Sequence, residues 1–432
     1  MARNSRLNRW AALGAALVMA SALPALAVAK EKKPAVEQAA PTGNYSKEFL
    51  KVAGPVQKNV DAKKWADVLA ALPALDALPV KTPDDEKAIA TWRLQASQGV
   101  GDQDAFAAAI ETFLAKGYAD KTQVGMMERQ LAAHYSAKKD QPKTVEHFQR
   151  FVDATPDVAP DEFETLGRLY LQVNDYPSGA LYLGKAIDLT ASRNELPKEP
   201  WFQLRDRAFV ETKNDEGRLA NLEALVGYYP NKEYYSRIVA IYQNQTKDDR
   251  VVMLNAYRVA VTDPRGGLAT VGGYINYADT ALVAGSPGEA VRAFDRGMKD
   301  GVVPMAGSNQ QTLQEARNAV AADKKSLPGE AAAAEKSAKG EVAVKVGLGY
   351  YSTGDYAKAA EIVQKGIAKG GVARLDDANL LLGAALMELG RRDEAKAAFE
   401  AAAAATPRGQ LARIARLWLA RVARKDPAPV GG

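Results

Sequence analysis

The clearest order in this chain is a spacing of apolar and small residues that recurs. Phe163, Leu166, Gly167 and Tyr170 are followed at the same intervals by Tyr274, Tyr277, Ala278 and Ala281. Ala343, Val346, Gly347 and Tyr350 repeat the spacing, and so do Asn379, Leu382, Gly383 and Leu386. Steps of three and four put such residues on one helix face, and a small residue in mid-face lets a neighbouring helix come close. A second phrase follows each copy. Residues 349–366, "GYYSTGDYAKAAEIVQKG", return 36 positions later as "ALMELGRRDEAKAAFEAA", with Gly354 on Gly390, Ala359 on Ala395 and Val363 on Phe399. Gly285, Ala290 and Phe294 hold the same places in residues 280–297, and "LYLQVNDYPSGALYLGKA" (169–186) runs in phase more loosely. A Gly or Asn ends the first helix because it tolerates the left-handed conformation at a helix C-terminus. The second helix carries a small residue where the two cross and a bulky one four positions on. Each unit is thus an antiparallel helix pair with an apolar face that only stacking can bury.

This pattern resembles the tetratricopeptide repeat, whose period is about 34 residues. Trp201 and Leu204 open another copy, Pro407 closes the last, and Pro230 and Pro264 bracket a weaker one 34 residues long. The expected fold is all-α, a tetratricopeptide-type helical-hairpin solenoid, which the resemblance makes a right-handed superhelix. It covers residues 45–409 in about nine to ten hairpins, clearest at 160–193, 271–304, 340–373 and 376–409. Residues 45–79 read as a degenerate first hairpin, and residues 306–339 as a degenerate unit with helices near 309–324 and 328–338. Residues 410–425 carry a stripe of Leu411, Ile414, Leu417, Trp418 and Val422 flanked by Arg413, Arg416, Arg421 and Arg424. They read as a helix capping the last unit, and otherwise as a basic amphipathic helix lying on anionic membrane.

The N-terminus differs from the rest. Arg3, Arg6 and Arg9 precede an apolar stretch interrupted by Gly14 and Pro24, and small residues surround Leu26 and Val28. This is the layout of a secretory signal peptide, expected to end near residue 29 and to deliver the protein to the periplasm. Polar residues 30–44 then form a flexible leader, and residues 426–432 a short tail. Without the three arginines the formal charge of +5 falls to +2. No basic blocks interleaved with aromatics are present, so a nucleic-acid partner is not expected. The 432 residues include no cysteine, so stability rests on packing rather than disulfides.

Candidate chemistry is sparse. The two histidines, His134 and His147, lie thirteen apart with no Cys nearby, too few ligands for zinc. His134 is expected to pack in the core or be half-buried, where the unit pattern asks for an aromatic. Ser136 and Lys139 spell S-x-x-K without the other motifs of serine acylases. No metal, cofactor or catalytic residue is therefore expected. The repeats consume the chain, and a helical superstructure supporting a cell-wall hydrolase would need a further compact domain.

What remains is a face. In tetratricopeptide arrays the first helix of each unit lines a concave groove, and the resemblance assigns to it Glu164, Arg168, Leu171, Ile275, Asp279, Leu282, Val344, Leu348, Tyr351, Leu380, Ala384 and Met387. The C-terminal half is apolar and fits a helix or extended peptide; the other reading is that terminal helices fold back over it. Tyr351→Ala is expected to leave the fold nearly intact and weaken binding. Residues 199–242, 290–303 and 378–402 further resemble exported repeat proteins that accompany TonB–ExbB–ExbD energy-transduction systems in Gram-negative bacteria. That resemblance implies a non-catalytic scaffold with a protein or peptide partner, TonB, ExbB or ExbD among the candidates, and peripheral membrane contact at most. A scaffold for outer-membrane protein assembly or cell-wall machinery is the alternative.

Overall fold

A computed structural model describes residues 43–246, 249–304 and 306–424. The expected signal peptide, most of the leader and the tail lie outside the described residues. Every regular element described is a helix, and the helices divide into two compact units, one up to Arg193 and one from Asn194. The first holds α1 (Lys47–Asp61), α2 (Trp65–Asp76), α3 (Pro83–Val100), α4 (Gln103–Ala115), α5 (Lys121–Ala137), α6 (Gln141–Ala154), α7 (Pro160–Gln172) and α8 (Tyr176–Ser192). The second holds α9 (Glu199–Glu211), α10 (Asp215–Tyr228), α11 (Lys232–Thr246), α12 (Arg250–Thr262), α13 (Val271–Val283), α14 (Pro287–Lys299), α15 (Ser308–Lys336), α16 (Gly340–Ser352), α17 (Tyr356–Lys369), α18 (Leu375–Glu388), α19 (Arg392–Ala405) and α20 (Gln410–Ala423). Each unit is an array of helical hairpins, an all-α repeat solenoid.

The turn inside a hairpin is a two-residue device. Gly101, Asn174, Gly285, Gly354 and Gly390 adopt positive φ where the first helix stops. Lys63, Lys139 and Lys213 do the same without glycine's freedom. In five of these turns the next residue caps the second helix: Asp102, Asp140, Asp175, Asn214 and Asp355 each accept a backbone N–H of the first turn. Lys139, half of the S-x-x-K spelling, is therefore a turn residue.

The crossing is equally regular. A Cβ placed on Gly167 would come within 2.9 Å of Leu183, one on Gly347 within 2.3 Å of Val363, and one on Gly383 within 2.4 Å of Phe399. All three pairs join the small residue of a first helix to the bulky residue of its partner. Ala278, Phe294 and Ala395 are likewise buried. Residues 306–339 depart from expectation. Instead of two short helices, α15 runs unbroken through Pro328. Only Leu313, Ala316, Leu327 and Ala334 are buried along it, so no second helix is needed to cover a wide apolar face.

Candidate partner-binding face

Part of the face expected to form a groove in the C-terminal half is covered by the chain itself. One covering element is α12, in which all ten residues from Val252 to Val261 are buried. A helix hidden on every side belongs to an interior, and α12 packs against α11, α13, α18 and α20. Arg258 stands at its centre. Its guanidinium donates to both oxygens of Glu289 (2.8 and 2.7 Å) and lies 5.0 Å over the ring of Tyr351. Glu289 also accepts from Tyr277 Oη (2.9 Å) and Ser286 Oγ (2.8 Å), so the buried carboxylate is saturated with donors. Burial alone would push Glu289 up, but the Arg258 charge and hydrogen bonds outweigh it and hold the carboxyl below its usual range. In the N-terminal half of α12, Asn255 donates to Asp377 (2.7 Å), and Arg374 donates to Asp249 at the N-cap (3.2 Å).

This arrangement corrects three expected groove positions. Tyr351, Leu380 and Ala384 are buried. Tyr351 lies beneath Arg258 and Arg292, whose guanidinium sits 5.2 Å from its ring, and burial pushes its hydroxyl well above the usual range. Leu380 and Ala384 belong to α18, which packs on both α12 and α20. Ile275, Leu282, Val344, Leu348 and Met387 are half-buried, and Asp279 is exposed. In the N-terminal unit, Leu171 is half-buried and reaches the backbone of Gly179 on α8, so it belongs to the hairpin seam. Arg168 is exposed on α7 and pairs with the half-buried Glu164 at 2.6 Å. Arg129 of α5 pairs with Glu162 of α7 at 3.1 Å.

The sequence pattern missed one polar cluster. His147 Nδ1 lies 2.7 Å from Glu128 Oε2, and both residues are buried. The ring of Tyr135 stacks on His147 and meets His134 edge-on, each at 5.2 Å. Both histidines of the chain thus touch one tyrosine. Tyr135, one residue beyond His134, is the aromatic against which the α5–α6 hairpin closes, and His134 is half-buried beside it. The only hint was Glu128, a carboxylate in an otherwise apolar helix face.

The last helix also does more than cap. Trp418 of α20 stacks on Phe399 of α19 (5.0 Å between ring centres), as a capping helix should. Its arginines turn to α10 and α12. Arg413 bonds Glu223 (3.0 Å) and Glu216, Arg421 donates to Thr262 Oγ1 and O (2.8 Å each), and Arg424 reaches Asp263 and Val226 O. Leu411, Ile414, Leu417 and Trp418 are buried. In this structure the stripe and these three arginines face protein, so the helix is not laid out for a membrane surface. Among the described residues no helix is long and apolar enough to cross a membrane.

Residues 376–408, the α18–α19 hairpin, match the tetratricopeptide repeat. No curated protein sequence matches the chain. Among solved structures, the P58(IPK) TPR domain aligns over 87% of this chain and 97% of its own, at 13% identity and a TM-score of 0.21. A tetratricopeptide repeat protein from Parabacteroides merdae aligns over 63% and 100%, at 12% identity and a TM-score of 0.25. The TPR2AB domain of yeast Sti1, solved in complex with pHSP90, aligns over 69% and 98%, at 10% identity and a TM-score of 0.22. Superpositions this loose say nothing of a ligand or partner.

Proposed function

We propose that this protein is a non-catalytic scaffold that holds a protein or peptide partner on the first-helix faces of its hairpin arrays. The observation that carries this reading is how the residues are used. The hairpin crossings take up glycines, alanines and bulky residues, and the buried Arg258 and Glu289 of the C-terminal unit bind each other. Arg168 on α7 and Asp279 on α13 are exposed on first helices and are not taken up by packing. The matched stretch, residues 376–408, belongs to a repeat family.

The finer reading is that the chain is exported to the periplasm and serves TonB-dependent energy transduction, with TonB, ExbB or ExbD as partner. It rests on the N-terminal signal pattern and on the resemblance of residues 199–242, 290–303 and 378–402. In-cell photo-crosslinking from positions 168 and 279 tests both levels. Capture of a TonB, ExbB or ExbD component supports the face and the pathway. Capture of an outer-membrane assembly or cell-wall factor keeps the face and replaces the pathway. No capture, with crosslinkers elsewhere on the surface labelling normally, overturns the face.

A further inference from the structure

At an offset of 35 residues the hairpins α5–α6 and α7–α8 correspond position by position. Ala132 and Phe148 take the places of the crossing pair Gly167 and Leu183, and Lys139 and Asp140 those of the turn residues Asn174 and Asp175. In α7–α8 the seam beside the crossing is aromatic. Tyr182 stacks on Tyr170 at 5.6 Å and lies 6.3 Å from Phe163, with the Lys185 ammonium over both Tyr182 and Phe163. The same register in α5–α6 holds His147 for Tyr182, Tyr135 for Tyr170, Glu128 for Phe163 and Arg150 for Lys185. The stack is kept: the planes of His147 and Tyr135 differ by 6°, as do those of Tyr182 and Tyr170. The third ring has become a carboxylate. Glu128 Oε2 meets His147 Nδ1 at 2.7 Å, and both side chains are buried.

We propose that this seam is a proton-sensitive joint, in which the α5–α6 hairpin is held by a charged His147 against Glu128 and loosens when His147 gives up its proton. The geometry sets the sign. A buried carboxylate is costly without a counter-charge. Protonated, His147 supplies a full positive charge at 2.7 Å. Neutral, it leaves Glu128 one hydrogen bond and the guanidinium of Arg150, which is 3.9 Å away, exposed and also paired with Glu146. Imidazole is the side chain that changes charge between about pH 5 and 8, so the hold is present at the acidic end of that range and lost towards the alkaline end. The other charged groups around the pair have partners of their own. His134 lies 3.6 Å from Asp104 of α4, which Lys138 also binds at 2.7 Å. Glu111 of α4 accepts from Tyr135 Oη, and Lys143 of α6 lies 3.2 Å from the same oxygen. The Glu111 bond and burial raise the Tyr135 hydroxyl, so it does not titrate alongside an imidazole. On the side of α7, Glu162 is held by Arg129 at 3.1 Å, and Tyr170 donates to Gln149 of α6.

Hydrogen exchange of the full chain, followed by mass spectrometry and corrected for the intrinsic effect of pH, tests the joint. The α7–α8 hairpin, with aromatics in the same places, is the internal reference. Between about pH 5 and 8, protection of α5 and α6 is expected to fall about tenfold relative to α7 and α8, as for a local opening. His134→Gln should leave that fall in place. Glu128→Phe combined with His147→Tyr installs the trio of α7–α8, and should abolish the fall and keep the hairpin protected throughout. If that double variant does not fold, Glu128→Gln decides in the same way, since it removes the counter-charge and keeps a hydrogen-bond partner for the ring. A protection ratio that is flat across the range in the wild type overturns the proposal. So does a fall that disappears in His134→Gln, or one that survives in the double variant or in Glu128→Gln.

Discussion

At the scale of single residues, this protein is built on two positions per hairpin where size and backbone freedom decide. Gly383 faces Phe399 so closely that a methyl group would sit 2.4 Å from the ring. Gly383→Ala should overpack the crossing and cost about 1–3 kcal/mol, measured by urea unfolding; an unchanged midpoint would mean that the phenyl ring is not fixed there. The turn position works in the opposite direction. Lys139 is held at φ 61°, a conformation in which a side chain collides with its own backbone. Lys139→Gly should therefore stabilise by about 0.5–1 kcal/mol, the relief of left-handed strain less glycine's larger loss of freedom. A destabilised Lys139→Gly variant would show that the lysine side chain contributes more than the strain removes. The glycine, asparagine and alanine positions were legible because their chemistry matches their task. The lysine turns were not, because Lys has no preference for positive φ and only the Asp or Asn that follows marks the place.

At the scale of elements, sequence periodicity reads local spacing, and α7–α8, α13–α14, α16–α17 and α18–α19 each carry their own alternation of small and large residues. It failed where the determining contact is remote. Nothing local in "GYYSTGDY" says that Tyr351 will lie under Arg258 of α12, 93 positions earlier in the chain. Nor does the sequence of α12 alone separate a buried central helix from an ordinary second helix, though its apolar residues on all sides were a signal. Residues 306–339 show the same limit: the sequence predicts a degenerate unit of two helices, while Pro328 sits inside one largely exposed helix that tolerates it. The correction reverses an expected mutant phenotype. Tyr351→Ala would open a cavity beneath two arginines and remove the ring that both guanidinium groups face, so it should cost about 3–5 kcal/mol, as for other buried aromatics. Thermal unfolding monitored by circular dichroism checks this. A variant as stable as wild type would return Tyr351 to the surface and reopen the groove.

At the scale of the molecule, each unit has its own core, and the second is distinguished by charge held inside it. Asp263 and Glu289 are opposed by burial, but Arg424 and Arg258 respectively outweigh it and hold both carboxyls below their ordinary range. A carboxylate depressed in the folded state contributes stability above its unfolded pKa of about 4, and that contribution is lost as the pH falls through the folded value. Asp377 has the opposite sign. Burial raises it, and the bond from Asn255 only partly offsets the effect. Its contribution is present at low pH and is lost as the pH rises through its folded value. The two kinds of group act in different windows. Acidification from neutral pH should first strengthen the second unit as Asp377 takes up its proton. Below about pH 4 it should weaken, when Asp263 and Glu289 give up their partners and α20 loses the anchor of Arg424. Asp377→Asn keeps an acceptor for Asn255 and removes its titration, so the stabilising limb should shrink to the share of Glu388, whose carboxyl burial also raises, while the acid limb remains. Urea midpoints taken across pH on the wild type and this variant separate the two. A stabilising limb undiminished in Asp377→Asn would assign it to Glu388 and remove Asp377 from the pH response of the unit.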